Sequence, residues 1–199
     1  MSNISDIEIL RKLGSGFSIE SIMESSGMSR CEFDAWWQVQ ISGRVPDLCG
    51  SRVAKVSKKV EIVRGEWGIP HILASCDEDL FYGYGYAMGQ DRLWQLDYLR
   101  RKAMGRLSEI LGPMSIDQDV VSRTVGIGQI SATELAQMPI ESVDRLEAFS
   151  NGINLVLEES RTNLPIEFSL LGYEPEPWTP LDSVAIWCEF RWYLTGRLG

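Results

Sequence analysis

The stretch from Leu80 to Leu111 constrains the fold more than any other part of this chain. It opens with glycines alternating with aromatics, Phe81-Tyr82-Gly83-Tyr84-Gly85-Tyr86, and then runs on without a proline. Leu96, Leu99, Ala103, Leu107 and Ile110 recur at spacings of three and four, which places them on one face of a helix. Asp91, Gln95, Arg101, Lys102 and Glu109 fall mostly on other faces and are expected in water. Gly112-Pro113 is the expected stop, because glycine suits a helix C-terminus and proline cannot continue the hydrogen-bond ladder. The organising element is thus a core-facing helix loaded with aromatics.

Three shorter helices are predicted ahead of it: Ile7 to Leu13, Ser18 to Ser25, and a third through Phe33, Trp36 and Trp37 that Ser29 is placed to cap. Helix, Gly27-Met28-Ser29 turn, helix is the outline of a helix-turn-helix. Residues 1–50 nevertheless hold four basic residues (Arg11, Lys12, Arg30, Arg44) against seven acidic ones (Asp6, Glu8, Glu20, Glu24, Glu32, Asp34, Asp47). A phosphate-facing surface of that balance is repelled rather than steered, which argues for a docked helical extension and against DNA binding. Arg44 to Ser57, with Pro46 and Gly50, reads as a linker. The chain accordingly divides into an extension over 1–50, a linker over 51–59 and a body over 60–199.

The body opens with two short apolar runs, Val60 to Val63 and Ile69 to Leu73, separated by the turn residues Glu66-Trp67-Gly68, which together read as a hairpin. Pro70 confines its strand to an edge or a strand start. His71 is the only histidine, so a Ser-His-Asp triad built within this chain must use it. No Gly-x-Ser-x-Gly accompanies it, and it reads as a structural histidine. Beyond the central helix, Met114 to Gly128 reads as irregular, with room for a short helix. Ser131 to Leu135 and Ile140 to Glu159 read as helices, the second with a stripe of Val143, Leu146, Phe149, Ile153 and Val156 that Gly152 weakens. Leu164 to Trp178 reads as an extended, proline-rich loop. A last helix starts at Thr179-Pro180 with Asp182 where a capping-box acid belongs. Along it Val184, Trp187, Cys188, Arg191 and Thr195 lie near one face and Leu181, Ala185 and Trp192 near a neighbouring one. That helix reads either as a core helix or as the wall of an apolar ligand pocket.

The net charge of −9 argues against nucleic acid and anionic membrane as partners. No run of eighteen apolar residues exists to span a bilayer. The first residues lack a basic region followed by an apolar one, and the four cysteines are scattered without metal-ligand spacing, so a cytoplasmic protein with free thiols is expected.

Several phrases are more specific than their periodicity. Val60-Glu61-Ile62-Val63-Arg64-Gly65-Glu66-Trp67-Gly68-Ile69-Pro70-His71-Ile72, Tyr84-Gly85-Tyr86, Gln90-Asp91-Arg92-Leu93-Trp94-Gln95, Arg100-Arg101, Gly105-Arg106-Leu107, Ala148-Phe149-Ser150-Asn151-Gly152-Ile153-Asn154 and Leu171-Gly172-Tyr173-Glu174-Pro175-Glu176-Pro177-Trp178 follow one another in this order. Together they resemble the α chain of the penicillin acylase family, over roughly Val60 to Thr195. Gly65 departs from the usual Asp of that pattern, which puts a local turn contact in doubt. The family pattern says nothing about residues 1–50.

The resemblance implies an α+β class: a mainly helical α chain with a short β hairpin, completing an αββα N-terminal-nucleophile hydrolase together with a separate β chain. It implies cleavage from one precursor, a β chain whose first residue, usually Ser, is the nucleophile, and that residue's α-amine as general base. No catalytic residue is then expected here, and Met1-Ser2 is not a terminus exposed by such cleavage. The implied reaction is hydrolysis of a small linear amide through an acyl-enzyme. The α chain's expected share is part of the acyl pocket, with Cys188, Arg191, Trp192, Leu194 and Thr195 as its substrate-binding residues. Arg191 and Thr195 stand where the penicillin G acylase group has a gating Met and Phe, and Leu194 where the family has an arginine. For Arg191, an acid on the β chain or the substrate itself is the expected partner. The family's calcium-binding acid falls just past Gly199, so no metal ligand is expected here, while the assembled enzyme has room for calcium. Two other readings stay open: an N-acyl-homoserine-lactone acylase type of substrate, and a non-enzymatic helical binding or regulatory protein.

Overall fold

The computed structural model describes residues 4–196. Three helices come first, α1 (Asp6–Gly14), α2 (Ile19–Ser26) and α3 (Arg30–Ser42), followed by strands β1 (Glu61–Arg64) and β2 (Pro70–Leu73). The long helix α4 (Asp77–Met104) leads into α5 (Ser108–Leu111), a 3-10 turn (Pro113–Ser115), α6 (Ile116–Val125) and α7 (Ile127–Gln137). Helices α8 (Ile140–Glu159), α9 (Ile166–Leu171) and α10 (Pro180–Gly196) complete the order. The chain forms two compact units, one from Met1–Leu48 with Ser160–Pro175, the other from Cys49–Glu159 with Glu176–Gly199.

In the first unit α1, α2 and α3 close on Ile9, Ile22 and Phe33. Ser5 and Ser18 cap α1 and α2, and Ser29 forms a reciprocal capping box with Glu32 at the start of α3. Asp6 ties α1 to α3, accepting hydrogen bonds from Trp36 Nε1 and Gln40 Nε2, both at 3.0 Å. Residues 160–175 join this unit through α9, whose Phe168 is fully buried and stacks on Tyr173 with ring centroids 5.1 Å apart. That stretch therefore contains a helix where an extended loop is predicted. Six residues are too few for an amphipathic stripe to register.

In the second unit the central contact is between α4 and α8, and glycine makes it. A Cβ on Gly85 would lie 2.0 Å from the carbonyl oxygen of Phe149, and one on Gly152 2.1 Å from that of Tyr82. The two backbones touch, a distance only glycine allows. Gly152, read from sequence as a weak point of its helix, is thus a contact point. Next to it the Tyr84 ring packs on Phe149 at 5.2 Å.

Helix α4 is longer at its start and shorter at its end than predicted. It begins at Asp77 and takes in the whole glycine-aromatic run. It stops at Gly105, in a left-handed conformation (φ 65°) with the Arg106 N–H donating back to the Arg101 carbonyl, and not at Gly112-Pro113. The chain turns there because Asp119 of α6 accepts the Leu107 and Ser108 N–H groups, each at 2.8 Å. These bonds help hold the Asp119 carboxyl below the usual carboxylate range against the opposing effect of burial. Met114 to Gly128, read as irregular, carries α6 and the start of α7.

The hairpin forms with the predicted strands: Glu61 pairs with Leu73 and Arg64 with Pro70, antiparallel. Pro70 sits at the first position of its strand. The turn closes by backbone alone, Gly65 N–H to Ile69 O at 3.0 Å and Gly68 N–H to Gly65 O at 2.9 Å. The Gly65 departure therefore leaves the turn intact. Arg64 seats the hairpin on α4, donating to Gln90 Oε1 and Asp91 Oδ2 at 3.2 and 3.1 Å. The α4 backbone leaves helical geometry at the next residue, Arg92 (φ −148°, ψ 26°).

Gly152→Ala is expected to destabilise the second unit by about 1–3 kcal/mol or more, since a methyl group there meets backbone that cannot move aside. Denaturant unfolding of wild type and variant measures this; an unchanged midpoint refutes the close contact.

Candidate functional site

Helix α10 carries all the predicted substrate-binding residues, and its placement starts with a buried ionic cluster. Asp97 accepts from Arg100 Nε at 2.9 Å and from Arg101 Nε at 2.8 Å, and all three side chains are about 95% buried. Arg101, expected in water, is instead part of the core, because Asp97 Oδ2 and the Glu109 carboxylate satisfy its charge, Asp97 Oδ1 being taken by Arg100. Arg100 reaches on to the carbonyls of Glu176 (2.7 Å) and Pro177 (3.1 Å), and its guanidinium lies 5.4 Å from the centre of the Trp178 ring. Asn154 of α8 holds the Trp178 backbone from both sides, accepting its N–H at 2.7 Å and donating to its carbonyl at 2.9 Å. The residues leading into α10 are thereby fixed to α4 and α8. The helix then starts at its predicted cap, with the Thr179 N–H and hydroxyl both donating to Asp182 Oδ2 at 2.7 Å.

An exposed ionic cluster lies beside this one. Arg106 bridges Glu109 and Glu176, and its hydrogen bonds and charge draw the Glu176 carboxyl down to about 2.

From Pro180 the helix has two faces. Val184, Ala185 and Cys188 are buried with Ala103 of α4 and Ile127 of α7, and Trp192 packs partly against the same cluster. On the other side Trp187, Phe190, Tyr193 and Leu194 are 55%, 50%, 39% and 53% exposed. The predicted face of Val184, Trp187, Cys188, Arg191 and Thr195 is therefore split between core and solvent.

Arg191 is exposed in this chain, and an acid of the same chain pairs with it. Glu134 of α7 accepts from Arg191 Nη2. The Cys188 Sγ accepts from the same nitrogen at 3.3 Å and donates to the other oxygen of Glu134 at 3.5 Å, closing a ring of three side chains. The Arg191 guanidinium also stands 5.7 Å from the Trp187 ring centre. Arg191 holds the Glu134 carboxyl below its ordinary range, and Glu134 in turn raises the guanidinium. Thr195 bonds back to the Arg191 carbonyl at 2.9 Å. Cys188, Arg191 and Trp192 are thus tied to α7 and the core, whereas Leu194 and Thr195 face outward. Sequence reasoning missed Glu134. Its signal is there in retrospect: it is the sole charged residue in α7, and an isolated charge in such a helix needs a partner.

His71 lies on the exposed face of β2. It is neither buried nor joined to a nucleophile by any hydrogen bond among the described residues. Among those residues no group of three or more His, Cys, Asp or Glu side chains is placed to hold a metal ion. No described helix is long and apolar enough to cross a membrane.

The architecture is thus a hairpin seated on a long kinked helix that packs on a second helix through glycine. The profile of the penicillin amidase family matches residues 59–199, and the chain belongs to that family. A penicillin acylase 2 proenzyme from Pseudomonas sp. (strain SE83) is 39% identical over 147 residues, covering 73% of this chain and 19% of the relative. An acyl-homoserine lactone acylase QuiP from Pseudomonas aeruginosa is 29% identical over 173 residues, covering 86% of this chain and 20% of the relative. Among solved structures, a thermostable penicillin G acylase from Alcaligenes faecalis superposes with a TM-score of 0.65 at 31% identity, covering 71% of this chain and 76% of that one. The chain spans about a fifth of the length of the curated relatives it matches.

Asp97→Asn is expected to cost about 3–5 kcal/mol, because two buried guanidinium groups then share a neutral partner; a shift in unfolding midpoint of that size measures it. Stability is also expected to fall with acid through this region. The Glu176 carboxyl is lowered from an unfolded value of about 4.3 to about 2. Its contribution is therefore fully present above about pH 5 and is lost as the pH falls through about 2. Melting temperature followed from pH 7 to 2 checks this, and Glu176→Gln should flatten the lower part of the curve.

Proposed function

We propose that this chain is the α-chain region of an N-terminal-nucleophile amidohydrolase that cleaves a linear N-acyl amide. The observation that carries this reading is the family match over residues 59–199, with the hairpin, α4 and α8 motifs doing structural work at each matched phrase. In this reading a β chain from the same precursor supplies an N-terminal Ser as nucleophile. Its α-amine accepts the hydroxyl proton, the serine oxygen attacks the amide carbonyl, and the amine leaves with an acyl-enzyme remaining for water to hydrolyse. His71, exposed on a strand, has no step in this scheme. The α chain's part is the wall of the acyl pocket, built on α10 from Arg191, Trp192, Leu194 and Thr195 with Cys188 behind them. The hairpin and α10 are the surfaces offered to the β chain, completing the αββα architecture.

The acyl-homoserine lactone acylase relatives favour a second substrate within the same chemistry. The feature in its support is Arg191 and Thr195 in place of the gating Met and Phe of the penicillin G acylase group.

The test is purification of the full precursor after processing, with N-terminal sequencing of the partner and assay against a panel of N-acyl amides. A partner beginning with Ser and amide hydrolysis that stops on blocking its α-amine are expected. A lone chain without hydrolytic activity sinks the reading.

A further inference from the structure

Residues 1–48 lie outside the stretch that the family profile matches, yet they form one unit with residues 160–175, which lie inside it. Helix α1 makes the junction with two adjacent stripes. Ile9 and Leu13, four residues apart, pack with α2 and α3 in the cluster around Ile22 and Phe33. Leu10 and Gly14, also four apart, share the neighbouring stripe. Leu10 is fully buried, and a Cβ on Gly14 would run into the carbonyl oxygen of Leu170 on α9. The backbones of α1 and α9 therefore touch, at the glycine that ends α1.

Two polar contacts flank that junction. The Arg11 side chain reaches Gly172, the left-handed residue (φ 71°) that ends α9, and a cation there suits the negative end of the helix. Asn163, ahead of α9, donates to the Gly43 carbonyl at the end of α3. Helix α9 itself has only six residues. A helix that short does not hold its shape in water, so its order comes from what it packs on. The extension, by contrast, closes α1, α2 and α3 on a core of their own.

We propose that residues 1–48 are a clamp acting in cis: by contact alone they keep residues 160–175, the connection between α8 and α10, folded. The linker that follows residue 48 then delivers the clamp and does not hold it.

The full-length protein is made with the recognition sequence of a specific protease inserted after Val53, which is 97% exposed. Cut wild type is expected to carry the N-terminal segment through gel filtration, with the amides of residues 166–172 exchanging no faster than in the uncut protein. Gly14→Ala puts a methyl group where the Leu170 carbonyl stands. Its cut form is expected to lose the segment, and residues 166–172 to exchange at least about tenfold faster, while α8 keeps its protection. A segment that leaves the cut wild type is held by the linker, and overturns the proposal. So does a Gly14→Ala variant in which the segment stays or α9 stays protected. Where that variant does not fold, the cut wild type alone decides. Elution and amide exchange read the clamp without any assay of hydrolysis, so the amidase reading stands or falls separately.

Discussion

The second unit depends on the backbone approach of α4 and α8. Because Gly85 and Gly152 carry no side chain, α4 and α8 approach until carbonyl oxygens sit where Cβ atoms would be. Much else follows from that distance. With α8 so close, Asn154 reaches the Trp178 backbone, and Val156 packs against α4 at Gly89. Gly83, two residues before Gly85, leaves room for Val60 and Ile72 of the hairpin region to rest on the helix. The alternation of glycine and aromatic residues near the start of α4 is therefore two surfaces in one phrase. The glycines admit neighbouring backbone and β-branched side chains, while Tyr84 and Tyr86 reach past them to Phe149 and Glu159. Burial, with Glu159 beside it, pushes the Tyr86 hydroxyl up to about 12, so it remains a donor throughout the physiological range.

The buried charges at Asp97, Arg100 and Arg101 do something that apolar packing does not. Replacing such a cluster by well-packed hydrophobic residues is often neutral or stabilising, so its presence is weak evidence for stability. Its geometry is specific, however. Arg100 spends its donors on one carboxylate and two consecutive carbonyls, which leaves a single way for the chain to enter α10. An apolar side chain at position 100 would fill the volume without choosing that path.

Sequence reading succeeded where local chemistry decides. The Thr179-Pro180-Asp182 start of α10, the Ser29 cap, the limits of α8 and the Pro70 strand start each depend on a few adjacent residues and formed as read. It failed where distant residues decide. The end of α4 moved to Gly105 because Asp119, on another helix, holds the turn. Arg101 is buried because Asp97 and Glu109 meet it there, though a helical wheel puts a charge in water. Of the candidate site, the helix that carries the residues was legible. The partner of Arg191 was not, since 57 residues separate it from Glu134 and only packing of α7 on α10 brings the two together.

The two faces of α10 differ in what they meet. The inward face is satisfied: Val184, Ala185 and Cys188 are buried, and Glu189 is paired with Lys102 at 2.7 Å. The outward face shows Trp187, Phe190, Tyr193 and Leu194 to water within eight residues. Single exposed apolar residues need no explanation, but four on one helix make a patch of the kind that marks an interaction surface. Arg191 stands at the edge of that patch, beside Trp187, with its charge already answered by Glu134. An arginine neutralised from behind is suited to a surface that is to be covered, because burying it then carries no unpaired charge into the interface.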